Sequence, residues 1–255
     1  MPALFDPIAG LGPVALAVML AGLAAGALAR GYAGFGFSAL LVASWSLVGT
    51  PVRAVAVALV LEVTASVIQA VSVWRDISWR RVGLLIAGAA VGTPLGVHLL
   101  AVTDERTLRL VIAGFILVAA TALLTGLKFR GRSTPPTVLA VGVASGACNG
   151  AVALGGLPVA IFLTAEGASP RSIRASVVAY FFLLDVVGLL FLTRAGLVQT
   201  QTFSLALLCL PVLVVGMWLG SRHFLGATPE GFRRITLGLL VALALIGIVR
   251  TLVLR

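Results

Sequence analysis

Apolar residues run almost without interruption along this chain, in stretches about 15–25 residues long that are broken only by short polar or glycine-rich pieces. Such runs read as helices rather than strands, because membrane barrel strands alternate apolar and polar positions over about 10 residues. Ten segments can be marked off: 12–29, 36–49, 52–73, 82–101 and 107–127, then 137–148, 151–165, 172–193, 201–221 and 235–254. The pattern predicts an all-α integral membrane protein with about 8 transmembrane helices, counting broken or re-entrant short helices.

The ten segments fall into two sets of five. Between them lies Lys128-Phe129-Arg130-Gly131-Arg132-Ser133-Thr134-Pro135-Pro136, the longest polar stretch, which predicts repeats over 1–127 and 137–255 joined by a 128–136 linker. Pro51-Val52-Arg53-Ala54 matches Pro170-Arg171-Ser172-Ile173-Arg174-Ala175. Gly92-Thr93-Pro94-Leu95-Gly96 matches Gly216-Met217-Trp218-Leu219-Gly220. Glu105 and Arg109 match Glu230 and Arg234, and Gly114 matches Gly238. Internal duplication of this kind is a common construction in secondary transporters.

Segments 36–49, 137–148 and 151–165 are too short to cross a core about 30 Å thick at about 1.5 Å per residue. Glycine-rich pieces interrupt them: Arg30-Gly31-Tyr32-Ala33-Gly34-Phe35-Gly36 in one half, Asn149-Gly150 and Gly155-Gly156-Leu157-Pro158 in the other. Short, Gly-interrupted segments at corresponding places point to a transporter binding site. If each short pair is one broken crossing, the halves are parallel; if each is a hairpin or two crossings, they are inverted. The inverted arrangement, with both termini outside, puts 11 of the 18 Lys and Arg on the inner side and 7 on the outer. The parallel one divides them 9 to 8 and leaves Arg30 mid-membrane, so the positive-inside rule favours inverted repeats.

Composition agrees with a lipid-facing protein. Only 10% of residues are charged against 60% hydrophobic, and mean hydropathy is +1.17, whereas a soluble domain carries about 25% charged residues. A net charge of +10 would suggest nucleic acid in a soluble protein, but here it reads as cationic cytoplasmic loops, so nucleic acid is not an expected partner. Cys148 and Cys209 form no disulfide framework. Ala27-Leu28-Ala29 resembles a cleavage site, yet no Lys or Arg precedes the apolar run, so the first segment is kept as part of the fold.

Function should lie at the breaks. Glycines Gly34, Gly36, Gly155 and Gly156 let a ligand approach helix N-termini that favour anions, with Ser38 and Asn149 as polar contacts; close helix packing by small residues is the competing reading. Arg53 and Arg174 open the third segment of each half and can pair with an anion or reach headgroups. Glu62 and Asp185 are the acids deep in apolar segments, candidates for proton coupling or for structural pairing. They lie 9 and 11 residues after those arginines, about 200° apart around a helix, which predicts different facing surfaces. No metal-ligand cluster, nucleotide loop or catalytic triad spacing is visible, so no metal, cofactor or enzyme activity is expected.

Gly142-Val143-Ala144-Ser145-Gly146, Gly155-Gly156-Leu157-Pro158 and Ala175-Ser176 resemble the second repeat of the sulfite exporter TauE/SafE family, also called the toluene-sulfonate uptake permease family; Gly34-Phe35-Gly36 and Pro51-Val52-Arg53-Ala54 stand where the first-repeat motif would be. The resemblance implies a bacterial inner-membrane carrier for a small anion such as sulfite, a sulfonate or a related organic acid. An anion channel is the alternative, and a homo-oligomer stays open.

Overall fold

The computed structural model describes residues 12–34, 36–124, 134–156, 158–159, 162, 170–223 and 229–253. Within them lie nine α-helices: α1 (Pro13–Ala33), α2 (Phe37–Val48), α3 (Pro51–Val73), α4 (Trp79–Val102), α5 (Glu105–Leu124), α6 (Pro135–Val152), α7 (Pro170–Arg194), α8 (Thr200–His223) and α9 (Pro229–Val253). No strand occurs among the described residues. Five of these helices begin at proline, whose missing N–H costs nothing at a first turn and whose φ is already helical. Helices α1, α3, α4, α7 and α8 are long and apolar enough to cross a membrane; α2, with 12 residues, is not. Most of the polar linker and most of the expected segment 151–165 lie outside the described residues, although Gly156, Pro158, Val159 and Phe162 are helical.

The first break lies at the C-terminal end of its glycine-rich piece, and the second lies between Asn149-Gly150 and Gly155-Gly156. Arg30, Gly31 and Tyr32 continue α1, and the chain turns at Gly34 (φ 80°) and Gly36 (φ 94°), left-handed values that glycine adopts without penalty. Asn149 and Gly150 are likewise helical, and the second turn comes at Ala153 (φ 55°). The glycines inside the helices serve packing instead. A Cβ on Gly31 would stand 2.2 Å from the carbonyl oxygen of Met217, and one on Gly150 would stand 2.4 Å from that of Thr93. Gly88, Gly92 and Gly96 of α4 interleave in the same way with Gly142, Gly146 and Gly150 of α6, each Cβ position lying within 2.4 Å of a backbone oxygen across the interface. Without side chains between them the backbones touch directly, the usual solution for helix pairs in lipid.

The same contacts give chain directions. Gly88 meets Leu139 and Gly96 meets Ala147, so α4 and α6 run parallel; Ala27 meets Gly216 and Leu28 meets Gly220, so α1 and α8 do too. Helix α3 runs antiparallel to α7, with Leu59 against Gly188 and the Ser78 amide on the Ser176 hydroxyl at 3.0 Å. Helix α2 folds back along α1: Gly22 faces Ser44, Gly26 faces Phe37, and the Trp45 indole donates to the Met19 carbonyl at 2.9 Å. Helices α1 and α2 therefore form a hairpin whose tip enters the bundle and whose ends return to one face.

The packing partners exchange between halves. Helix α4 packs on α6 and α8 on α1, while α3 packs on α7 and α5 on α9. At the centre lies one large apolar cluster that includes Phe37, Leu41, Leu59, Ile116, Leu154 and Leu213.

Candidate functional site

Two buried polar groups occupy the tips of the breaks. In the first half, Gly34 caps α1 with its N–H on the Arg30 carbonyl at 2.8 Å. The Arg30 side chain turns inward and is fully buried. Its Nη1 donates to the Gly34 carbonyl at 2.7 Å and lies 3.3 Å from Glu62 Oε2, and its Nη2 donates to Ser66 Oγ at 2.7 Å. Glu62 reaches the start of α2, where the Ser38 amide donates to Oε1 at 3.2 Å. The partial positive charge and free N–H groups of that helix end are thus met by the protein's own carboxylate. Glu62 stands about 17 Å along α3 from Pro51, so this group lies at mid-depth in the bundle.

The second half repeats the device with different side chains. Ala153 caps α6 with its N–H on the Asn149 carbonyl at 2.8 Å. Asn149 Nδ2 donates to Asp185 Oδ1 at 3.0 Å, and Asn149 Oδ1 accepts from the Gly155 amide at 3.4 Å. Tyr180 donates its hydroxyl to Ser145 Oγ at 2.6 Å, and Ser145 in turn donates to the Gly155 carbonyl. Arg30 and Asn149 therefore hold equivalent positions, each four residues before a left-handed turn and each bonded to an acid on the third helix of its half.

Phe181 joins the two groups. The Arg30 guanidinium sits 4.9 Å from its ring centroid, a cation–π distance. Gly156 lies against the opposite break, where a Cβ would come within 2.1 Å of that ring. Asp185, one turn further along α7, is within electrostatic range of both Glu62 and Arg30. Arg30, Glu62, Ser145, Asn149 and Asp185 are each under 4% exposed, so in this conformation neither face of the bundle reaches the cluster. Among the described residues, Arg30 Nε and Asp185 Oδ2 are buried without a hydrogen-bond partner, unmade bonds that a ligand or a proton can meet.

Of the residues expected from sequence, the structure brings together Gly34, Gly36, Ser38 and Glu62 on one side of Phe181, and Asn149, Gly155, Gly156 and Asp185 on the other. Glu62 and Asp185 do not face different surfaces. The expected 200° difference came from counting from Arg53 and Arg174, whereas the inward register is set by Arg30 and Asn149. Arg53 does not join the cluster: it is exposed at the start of α3, with Nη2 on Gln201 Oε1 at 3.4 Å. The Arg174 side chain lies outside the described residues; its backbone, near the start of the antiparallel α7, places it at the opposite end of the bundle. Tyr180, Phe181 and Ser66 carry no signal in the sequence, being ordinary residues of long apolar runs.

A bundle of apolar helices, folded around two broken helices and a set of buried charges, defines a polytopic transport protein of the membrane. A family profile described as "Sulfite exporter TauE/SafE" matches residues 18–246, and the chain belongs to that family. It is 26% identical over 227 residues to the "Probable sulfite/organosulfonate exporter TauE" of Cupriavidus necator, covering 87% of this chain and 89% of the relative. It is also 26% identical over 186 residues to the "Probable inner membrane transporter protein TsaS" of Comamonas testosteroni, covering 72% and 78%. No solved structure matches the chain.

Proposed function

We propose that this protein carries a small sulfur oxyanion, sulfite or a sulfonate, across the bacterial inner membrane by alternating access, with Arg30 as the anion-binding residue. The observation that carries this reading is a fully buried guanidinium at mid-depth, at the tip of a helix break, paired with a carboxylate that also meets a helix N-terminus. Glu62 stands in for the substrate there: an arriving oxyanion can take the same two donors, the Arg30 fork and the Ser38 amide, and release Glu62. An Arg fork suits a planar or pyramidal oxyanion better than an ammonium does. The substrate class comes from the family and from the names its relatives carry.

Transport of ³⁵S-sulfite in proteoliposomes tests the class of mechanism. A carrier speeds labelled uptake several-fold when unlabelled sulfite is trapped inside, because the loaded form returns across the membrane. Uptake indifferent to trapped substrate would identify an anion channel instead.

The two halves are read as inverted repeats, 1–127 and 137–255. The exchange of packing partners and the antiparallel third helices support this. With Arg30 inside the bundle, the remaining cations divide 11 to 6 rather than 11 to 7 between the two faces, which strengthens the assignment of 74–78 and the linker to the cytoplasm. Cysteines replacing Arg80 and Arg222 should label with a membrane-impermeant maleimide only in inside-out vesicles, and those replacing Arg106 and Arg194 only in right-side-out vesicles. Labelling of Arg80→Cys and Arg106→Cys from one side would refute the arrangement.

A further inference from the structure

A cavity of about 360 Å³ lies apart from the buried Arg30–Asp185 group, between α2, α5 and α9. Its walls change character with depth. Ile112, Ile116 and Leu243 line the inner part, and Arg106, Arg109 and Arg250 ring the end at which α5 begins and α9 finishes. From Arg106 to Ile116 is about 15 Å along α5, so the space is a long apolar slot with a cationic mouth.

The polar groups at the mouth are not all used within the protein. Arg109 Nη2 donates to the Gly49 carbonyl at 3.0 Å and to Glu105 at 3.2 Å, and Arg250 donates to the Leu47 carbonyl. Arg106 is exposed and makes no side-chain bond among the described residues. Ser46 Oγ and Arg109 Nε are buried in the same place with no hydrogen-bond partner among the described residues. Among the described residues, Glu105 is the carboxylate paired with a guanidinium here, that of Arg109 at 3.2 Å. Asp104, at the same end, is engaged by the Thr107 amide at 3.0 Å, which holds its carboxyl below the ordinary aspartate range.

We infer that this cavity binds an anionic phospholipid, with the phosphate at Arg106, Arg109 and Ser46 and part of an acyl chain along Ile112, Ile116 and Leu243. The recognised chemistry is a phosphate-type oxyanion, which a free anion shares. The apolar depth favours the lipid, since a small oxyanion has no use for a slot about 15 Å deep, whereas an acyl chain fills it while its phosphate stays at the cationic mouth. The position gives the lipid leverage. Arg109 and Arg250 hold the C-terminal carbonyls of α2, and the N-terminus of that short helix is the one that Glu62 meets. A phosphate that draws these arginines together clamps α2 from its far end.

The test measures lipid retention by native mass spectrometry, and thermal unfolding, on protein exchanged into phosphatidylethanolamine nanodiscs with and without phosphatidylglycerol. Phosphatidylglycerol should be retained and should raise the unfolding temperature. Arg106→Gln, which breaks no internal side-chain bond among the described residues, should weaken retention about fivefold, the fold-change matching about 1 kcal/mol for one exposed ion pair. Ile116→Trp, which fills the slot without altering charge, should also abolish the difference between the two lipids. Equal protection by sodium sulfate in phosphatidylethanolamine alone would assign the mouth to a free oxyanion and overturn the lipid site. Retention unchanged in both variants would overturn it as well.

Discussion

Arg30→Met should stop transport and destabilise the protein by about 3–5 kcal/mol, the range for removing one partner of a buried ion pair. The size follows from what remains. Glu62, 3% exposed, would keep its charge facing apolar neighbours, with only the Ser38 amide at 3.2 Å in compensation. Ser66 Oγ and the Gly34 carbonyl would lose their donors at the same time. Arg30→Met combined with Glu62→Leu should recover most of the stability, because two apolar side chains of similar volume avoid the cost of bringing two charges out of water. Transport should stay absent in the double variant, since the donor fork is gone. Arg30→Lys should keep the charge and part of the stability but bind substrate about tenfold more weakly, as a point charge cannot make paired bonds to an oxyanion. Fluorescence-detected thermal unfolding and proteoliposome flux separate the two effects. If the double variant is as unstable as the single one, Glu62 is not the group that Arg30 neutralises.

Much of the fold could be read from the sequence because lipid leaves few alternatives. A run of apolar residues must become a helix there, and its ends are marked by proline, glycine or charge. Hence the expected segments 52–73 and 201–221 coincide closely with Pro51–Val73 and Thr200–His223. The breaks were harder. Glycine has two uses in this chain, turning the backbone and removing side chains from a contact, and composition does not distinguish them. Gly34 turns the chain, while Gly31 and Gly150 lie in helices pressed on a neighbour.

The candidate site was legible as a set of acids and glycines but not as pairs. Arg30 had no cationic counterpart in the second half, so the match with Asn149 was hidden by chemistry, although the offset of 119 residues equals that between the two turns at Gly34 and Ala153. Arg53 and Arg174 drew attention because they are charged and matched, yet the antiparallel packing of α3 and α7 puts them at opposite ends of the bundle. One substrate cannot touch both. The arginine-mouthed cavity was invisible from sequence because its residues come from three helices far apart in the chain.

The unequal chemistry of the two halves gives the carboxylates different roles, and the expected result is that Asp185→Asn loses pH-gradient-driven accumulation while downhill exchange persists. Glu62 is tied to a guanidinium at 3.3 Å, so on the proposed reading it holds the Arg30 fork until an anion displaces it. Asp185 accepts from the neutral Asn149 amide through Oδ1, and its Oδ2 is buried without a hydrogen-bond partner among the described residues. That oxygen is where a travelling proton would sit, and Arg30 and Glu62 are near enough for the proton to be felt at the anion site. On the proposed reading, release of Glu62 by an incoming anion would change the field at Asp185 and so link substrate occupancy to proton occupancy without a direct contact. Asparagine keeps the shape and one acceptor for Asn149 but cannot give up or take up the proton. The variant should therefore equilibrate sulfite at a normal rate, show trans-stimulation, and reach the same internal level whether or not a pH gradient is imposed. Glu62→Gln should instead act on exchange itself: with no resident carboxylate competing for the Arg30 fork, the anion binds more tightly and leaves more slowly. Should Asp185→Asn still accumulate substrate on a pH gradient while only its unfolding temperature falls, Asp185 is a structural partner of Asn149 and the proton is carried elsewhere.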